Sequence, residues 1–386
     1  PPTYLDESVE LRICDLTRGT TYWDGGSWVN TEKWVLAIGS TTWSYDTSGI
    51  WTSGHQYEIT SKARDKAVPS PNEEVPSTFI TFVFDVYSPT ATVVIPAEGA
   101  KLKSLSTISG TCQDDWKVDK IELEIRNITD SPNEYWTGTG WSTTTAKVWA
   151  NVYTSSWTYS FTGNWASGRK YSITPKAQDM VPNFQVQVSS KTFTIDKDGP
   201  TVSVVSPTGD LKLAPDRVSG TAVDHPDSPL ANSGISKVEL EIKDTTASPN
   251  LYWNGNVWVT TATWFDTGSV SWEYTVPQPT STWTDGHLYR LQARATDGTG
   301  TNVGLSSYAT FRYDKTEPQS QVSVPVDGKY YPYGQPSTLS GTAQDTLPGS
   351  GVDNVKVLVQ RIDTGEYWNG SQWKPEAEGE KWNPVT

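Results

Sequence analysis

Between residues 237 and 243 the chain reads Lys-Val-Glu-Leu-Glu-Ile-Lys, so Val238, Leu240 and Ile242 alternate with Glu239, Glu241 and Lys243. A period of two predicts a strand with one face in a core and the other in water. The same alternation places Ile121, Leu123 and Ile125, and Val9, Leu11 and Ile13, on equivalent inner faces. Around 237–243 lie short runs rich in β-branched and aromatic residues: TVSVVS at 201–206, VSGTAV at 218–223, SWEYTV at 271–276, YRLQARAT at 289–296 and YATFRY at 308–313. With turn residues between them, they predict strands A, B, E, F and G of a β-sandwich in which 237–243 is strand C. Asp224, Asp297 and Asp314 close B, F and G.

The pattern repeats. Tyr-Trp-x-Gly-x-x-Trp occurs at 22–28, 135–141, 252–258 and 367–373, with starts 113, 117 and 115 residues apart. A period of that length is a whole domain, so the chain is read as segments 1–86, 87–197, 198–315 and 316–386. The two middle segments carry every strand; Trp149, Trp157 and Tyr159 are matched to Trp264, Trp272 and Tyr274, and Trp34 and Trp382 to Trp149 and Trp264. Segment 1–86 enters at strand C, and segment 316–386 carries A, B, C and the hairpin. The bland reading of these part-sandwiches is a window on a longer repetitive chain; the alternative is pairing of open edges with another molecule. The junctions are short and contain Pro89, Pro200 and Pro318, which predicts stiff coupling. Within the repeated motif, Asn-Gly or Asp-Gly between aromatic residues predicts a hairpin with a two-residue turn. Asn254-Gly255 would then set Trp253 against Asn256 and Leu251 against Trp258, with both tryptophans on one face.

Composition narrows the functional classes. The 386 residues carry a net charge of −14, which argues against nucleic acid or an anionic membrane as partner and is compatible with divalent cations. No apolar run is long enough for a membrane span. Cys14 and Cys112 fall at unmatched repeat positions, which excludes a repeated disulfide framework and leaves two spare thiols. No Ser/His/Asp set, zinc-ligand spacing or phosphate loop is present. The same elements recur in every segment, whereas a catalytic centre is usually unique, so an enzyme is not expected.

Four motifs carry a family resemblance. Ser-Gly-Thr-x-x-Asp stands at 109–114, 219–224 and 340–345, and Ser-Gly-Val/Ile-x-x-Val at 233–238 and 350–355. Tyr-x-Ile/Leu-x-x-x-Ala-x-Asp stands at 57–65, 171–179 and 289–297, and Phe-x-x-Asp at 82–85, 193–196 and 311–314. The chain resembles the bacterial immunoglobulin-like tandem repeats of large surface and adhesin proteins, over nearly its whole length. The resemblance implies an all-β array of immunoglobulin-like sandwich domains, located at the cell surface or outside the cell. It implies a structural stalk, filament or surface-layer segment whose partners are other copies of itself. The alternative is a carbohydrate-binding array that takes glycans on exposed tryptophans. The family often places Gly-Asn soon after the strand F aspartate; here Asn72, Asn183 and Asn302 follow at greater distance.

Three sets of side chains are candidates for chemistry. In this topology strands B and F end at the pole facing the end of G in the preceding domain. That gathers Asp85, Asp114, Asp115 and Asp179 at the first junction, Asp196, Asp198, Asp224 and Asp297 at the second, and Asp314 and Asp345 at the third. Clustered loop carboxylates suit Ca²⁺, and the resemblance implies the same cation; the alternative is that each accepts loop amide hydrogen bonds. The second set is the hairpin tryptophans Trp23, Trp28, Trp136, Trp141, Trp253, Trp258, Trp368 and Trp373, open to ladder packing, self-association or sugar stacking. Trp272 and its equivalents Trp157 and Trp43 are assigned to the inter-sheet core. The third set reads as structural. Tyr57, Tyr171 and Tyr289 open strand F, where sandwiches have a tyrosine corner. His55 and His287 match Arg169, so neither is expected to catalyse or to bind metal. Lys62 and Lys176 match Arg294, which argues against isopeptide bonds. Asn127 and Asn369 begin glycosylation sequons.

Overall fold

A computed structural model describes residues 8–226, 231–268, 270–346, 348–375, 377 and 381–385. The chain divides into two compact units, Pro1–Lys197 with Pro226–Asn232, and Asp198–His225 with Ser233–Thr386. Both are almost entirely β; a single short helix, Pro279–Thr282, occurs among the described residues.

The second unit holds the sandwich predicted from 198–315. One sheet runs Thr201–Ser206, Arg217–Val223, Glu273–Thr275, the strands A, B and E. The other runs Gly209–Leu211, Ala309–Tyr313, Leu288–Asp297, Ile235–Asp244, Leu251–Trp253, Trp258–Val259. Strand C, Ile235–Asp244, pairs antiparallel with strand F, Leu288–Asp297, and Val238, Leu240 and Ile242 are fully buried. Some pairings exceed the sequence reading. Gly209–Leu211 runs parallel to strand G, and Phe265–Gly268 folds back onto strand C beyond the hairpin.

The first unit repeats the arrangement. Its complete sandwich sets Thr90–Ile95, Thr107–Gln113, Ser156–Ser160 and Asn151–Val152 against a sheet built on Val118–Asn127 and Arg169–Asp179. Ahead of it, Ser8–Asp15 and His55–Arg64 centre a further sheet over a smaller core of Val9, Leu11, Ile13, Val35, Ala37 and Ile50. Among the described residues of 316–386 the strands pair in twos and threes, and Tyr367 is the one buried hydrophobic residue described there.

The Ser-Gly-Thr motif has a packing cause. A Cβ on Gly110 would lie 2.5 Å from the Trp157 ring and 1.8 Å from the Thr92 carbonyl oxygen; on Gly220, 2.3 Å from the Trp272 ring and 1.9 Å from the Ser203 carbonyl oxygen. Glycine lets strand B sit directly on the strand E indole. Trp157 and Trp272 are accordingly 0% and 2% exposed. Trp43 departs from its assignment at 42% exposure. Its strand pairs only with Ile38–Gly39, and no glycine-bearing strand covers its ring among the described residues.

The hairpin register differs from the two-residue turn. Trp253 pairs directly with Trp258 and Tyr252 with Val259, so the loop is four residues, Asn254 to Val257. The Asn254 side-chain oxygen accepts the amides of Asn256 (3.0 Å) and Val257 (2.9 Å), and only Gly255 takes a left-handed φ, +98°. The Asn side chain thus organises a wider loop, as Asx residues do at turns. Both tryptophans still share one face.

Candidate functional site

In the first unit the strand ends bring three carboxylates together. Asp85 follows Ile80–Phe84, Asp114 follows Thr107–Gln113, and Asp179 ends Arg169–Asp179. One carboxylate oxygen from each lies within 4.8 Å of the others. Asp85 is 6% and Asp179 1% exposed. Their hydrogen bonds divide the oxygens into two classes. Asp85 Oδ1 accepts the Tyr87 amide (3.1 Å) and the Ser53 hydroxyl (3.3 Å), and Asp114 Oδ2 accepts the Lys117 amide (3.0 Å). Asp179 Oδ1 accepts the amides of Val181 and Asn183. Asp85 Oδ2 and Asp114 Oδ1 are buried with no hydrogen-bond partner. At Asp85 and Asp114 one oxygen therefore braces the loop while the other is buried without a partner, which costs free energy unless something positive compensates. Burial, with the nearby charges of Asp114, Asp115 and Asp179, pushes the Asp85 carboxyl up to about 6. Burial, then Asp179, also raises Asp114.

The surroundings fix this cluster. Asn183 Nδ2 donates to Asp179 Oδ2 (2.9 Å) and to the carbonyls of Asp85 (3.3 Å) and Tyr87 (3.2 Å). It ties the end of one segment to strand F of the next. Asn72 and Asn302 reach Asp65 and Asp297 in the same way, each at 2.7 Å, so the longer loops leave that contact intact. Gly54, at φ +76°, lies against Asp115, whose carbonyl oxygen would be 2.7 Å from an added Cβ. Asp115 itself is exposed.

The remaining aspartates are distributed as follows. In the first unit Asp196 is buried. In the second, Asp198 is exposed, while Asp224 and Asp297 are buried with carboxylate oxygens within 4.8 Å of each other. Asp314, also in the second unit, accepts the amides of Thr316 (3.1 Å) and Ser350 (2.6 Å). Asp345 accepts the Gly351 amide at 2.8 Å. Gly286 repeats the Gly54 contact, with the Pro348 carbonyl oxygen 2.2 Å from where its Cβ would stand. Sequence reasoning missed this glycine brace. Its signal was present, since Gly54-His55, Gly168-Arg169 and Gly286-His287 recur at matched positions.

The hairpin tryptophans form ladders. Ring centroids are 5.5 Å apart for Trp23 and Trp28, 5.6 Å for Trp136 and Trp141, 5.4 Å for Trp253 and Trp258, and 5.6 Å for Trp368 and Trp373. In each of the first three pairs the leading indole N–H is satisfied internally: Trp23, Trp136 and Trp253 donate to the hydroxyls of Tyr45, Tyr159 and Tyr274. Trp136 and Trp253 are buried and out of reach of a sugar or a second chain. Trp23, Trp28, Trp141, Trp258, Trp368 and Trp373 are half-buried.

The tyrosine corner is present three times. The Thr52, Ala166 and Thr284 amides donate to the hydroxyls of Tyr57, Tyr171 and Tyr289 at 2.8, 2.9 and 2.7 Å. Beside it, His55 pairs with Asp15 (2.8 Å) and His287 with Asp244 (2.7 Å). Where Asn127 replaces that aspartate, Arg169 replaces the histidine and pairs with Asp130 (2.8 Å). The side-chain contact is kept with different residues, a structural role. Asn127 is buried and donates to Asp130 and Glu134, which closes it to glycosylation in the folded chain. Cys14 and Cys112 are buried free thiols. No helix among the described residues is long and apolar enough to cross a membrane.

No family model and no curated protein matches the chain. Among solved structures it is similar to a tetra-tandem repeat in the extending region of a large adhesion protein (17% identity, TM-score 0.29, covering 99% of this chain and 83% of that one). It is similar also to a Ca²⁺-stabilised adhesin with which an Antarctic bacterium binds ice (12%, 0.26, 98% and 82%). A third likeness is to the fibronectin(III)-like modules of Clostridium thermocellum CbhA (14%, 0.27, 58% and 95%). Scores this low carry no argument about function.

Proposed function

We propose that this chain is a structural repeat segment of an extracellular, adhesin-like surface protein: a stiff series of immunoglobulin-like domains divided at 1–86, 87–197, 198–315 and 316–386. Its role is to extend and connect, and other copies of the same surface protein are its natural partners. One observation carries the reading. Buried loop carboxylates and close backbone approaches gather where one segment meets the next. Asn183 ties two segments by hydrogen bonds, and Gly54 and Gly286 admit the next segment's backbone at distances where any Cβ would collide.

We further propose that the first joint binds Ca²⁺ through Asp85, Asp114 and Asp179. The donor set fits a hard cation: all oxygen, at or just past strand ends, with two buried oxygens lacking any other partner. A bound divalent cation would supply the positive charge that the crowded carboxylates lack and lock the joint against bending. Small-angle scattering of the full chain tests the reading. An elongated particle whose flexibility falls on adding calcium is expected; a compact globule, or a freely jointed chain indifferent to calcium, contradicts it.

A further inference from the structure

The two complete sandwiches share a core but differ on the outer face of strands C and F. In the second unit Glu239 holds Arg294 through two hydrogen bonds (2.7 and 3.0 Å), and the guanidinium lies 4.6 Å from the Trp264 ring. In segment 1–86 Glu10 holds Lys62 at 3.0 Å, and its ammonium lies 4.5 Å from the Trp34 ring. Strand registers show which residue is equivalent in 87–197. Val35, Val148 and Phe265 lie opposite Leu11, Leu123 and Leu240, so Trp34 and Trp264 correspond to Lys147. Trp382 belongs with them, because Asn383 lies opposite Val357. Trp149, matched to them by sequence, sits two residues further along. Lys147 takes Glu122 at 2.7 Å, and the strand F cation, Lys176, turns to Phe184 at 5.0 Å.

Trp149 is therefore left without the clamp that covers the other two rings and is 56% exposed. It stands at a corner. Val148–Trp149 pairs with strand C, and Asn151–Val152 pairs with strand E in the opposite sheet. The crossing leaves an open cavity of about 500 Å³ lined by Asp119, Lys120, Trp149, Ala150, Asn151 and Val152. Aromatic ring, carboxylate, ammonium and amide thus converge on one open space.

We propose that this corner is a binding subsite for a neutral glycan, with the Trp149 indole as its stacking platform. The ring face is electron-rich and attracts the polarised C–H groups of a pyranose. Asp119 accepts sugar hydroxyls, and the Asn151 amide both donates and accepts. A small organic cation is disfavoured, because Lys120 Nζ already lies 5.9 Å from the ring centroid. Asp119 and Lys120 lie 3.6 Å apart and balance each other locally, so an acidic glycan is disfavoured by the net charge of −14. The site shares no residue with the carboxylate cluster or the hairpin ladders.

The test is titration of the full chain with neutral hexasaccharides of glucose, mannose and N-acetylglucosamine, followed by tryptophan fluorescence and calorimetry. Saturable binding of at least one is expected. It should weaken at least about tenfold in Trp149→Ala, less in Asn151→Ala, and not at all in Trp382→Ala, which removes a ring of similar exposure (55%). Because Trp149 is half-exposed, its replacement should leave the melting temperature nearly unchanged, which separates loss of binding from loss of fold. Absence of saturable binding to every sugar, or binding that survives Trp149→Ala, overturns the proposal.

Discussion

The two complete sandwiches, one in each compact unit, agree inside and disagree outside. Inside, strand C aliphatics, the strand E indole under a strand B glycine, and the tyrosine corner recur residue for residue. Outside, a Glu–Arg–Trp stack in one becomes a Glu–Lys pair and a tryptophan outside that stack in the other. The same comparison also shows a conserved interaction with exchanged residues, His287–Asp244 against Arg169–Asp130. Agreement marks what packing requires. Disagreement on the surface marks where one repeat is free to take a separate task.

The comparison can be broken at several points. The largest effect is expected inside: Gly110→Ala and Gly220→Ala each force a methyl into a backbone carbonyl and an indole, and should each cost about 2–4 kcal/mol in denaturant unfolding. An effect under about 1 kcal/mol would mean that the sheets separate easily. Next come the corners: Tyr171→Phe and Tyr289→Phe each leave a loop amide unpaired, and should cost about 1–2 kcal/mol in either sandwich alike. The smallest effect separates the two faces. Glu239→Gln loosens a two-bond clamp on Arg294 and should cost about 0.5–1 kcal/mol, whereas Glu122→Gln breaks one exposed Lys147 pair and should cost a few tenths at most. Equal losses would remove the contrast on which the Trp149 site depends.

Much of this was legible in the sequence because the signals are local and repeated. Alternation at Val238, Leu240 and Ile242 fixed strand C, and the recurring Phe-x-x-Asp and Tyr-x-Ile/Leu motifs marked G and F. What escaped depends on register or on space. The direct Trp253–Trp258 pairing follows from Asn254 capping two loop amides. The shift of Trp149 relative to Trp264 shows only when both are read against strand C. The parallel strand Gly209–Leu211 and the Gly54 and Gly286 braces depend on neighbours distant in sequence. For the aspartates, loop bracing is visible at Asp85 and Asp114, each of which braces a loop with one oxygen and leaves the other unpartnered; cation binding at that second oxygen is the part left to the calcium titration.

Thermal unfolding of the full chain, with calcium and with chelator, across pH 4.5 to about 7.5, tests the joint most directly. Without cation, a carboxyl raised to about 6 holds a proton in the folded state that the unfolded chain has released, so its contribution to stability is lost as pH rises from the ordinary carboxylate range through about 6. Calcium replaces that proton, so the account predicts a melting temperature raised by calcium at pH 7.5, little changed at pH 4.5, and insensitive to calcium at this joint in Asp85→Asn. A melting temperature that ignores calcium at pH 7.5, or a calcium response unaffected by Asp85→Asn, would contradict it.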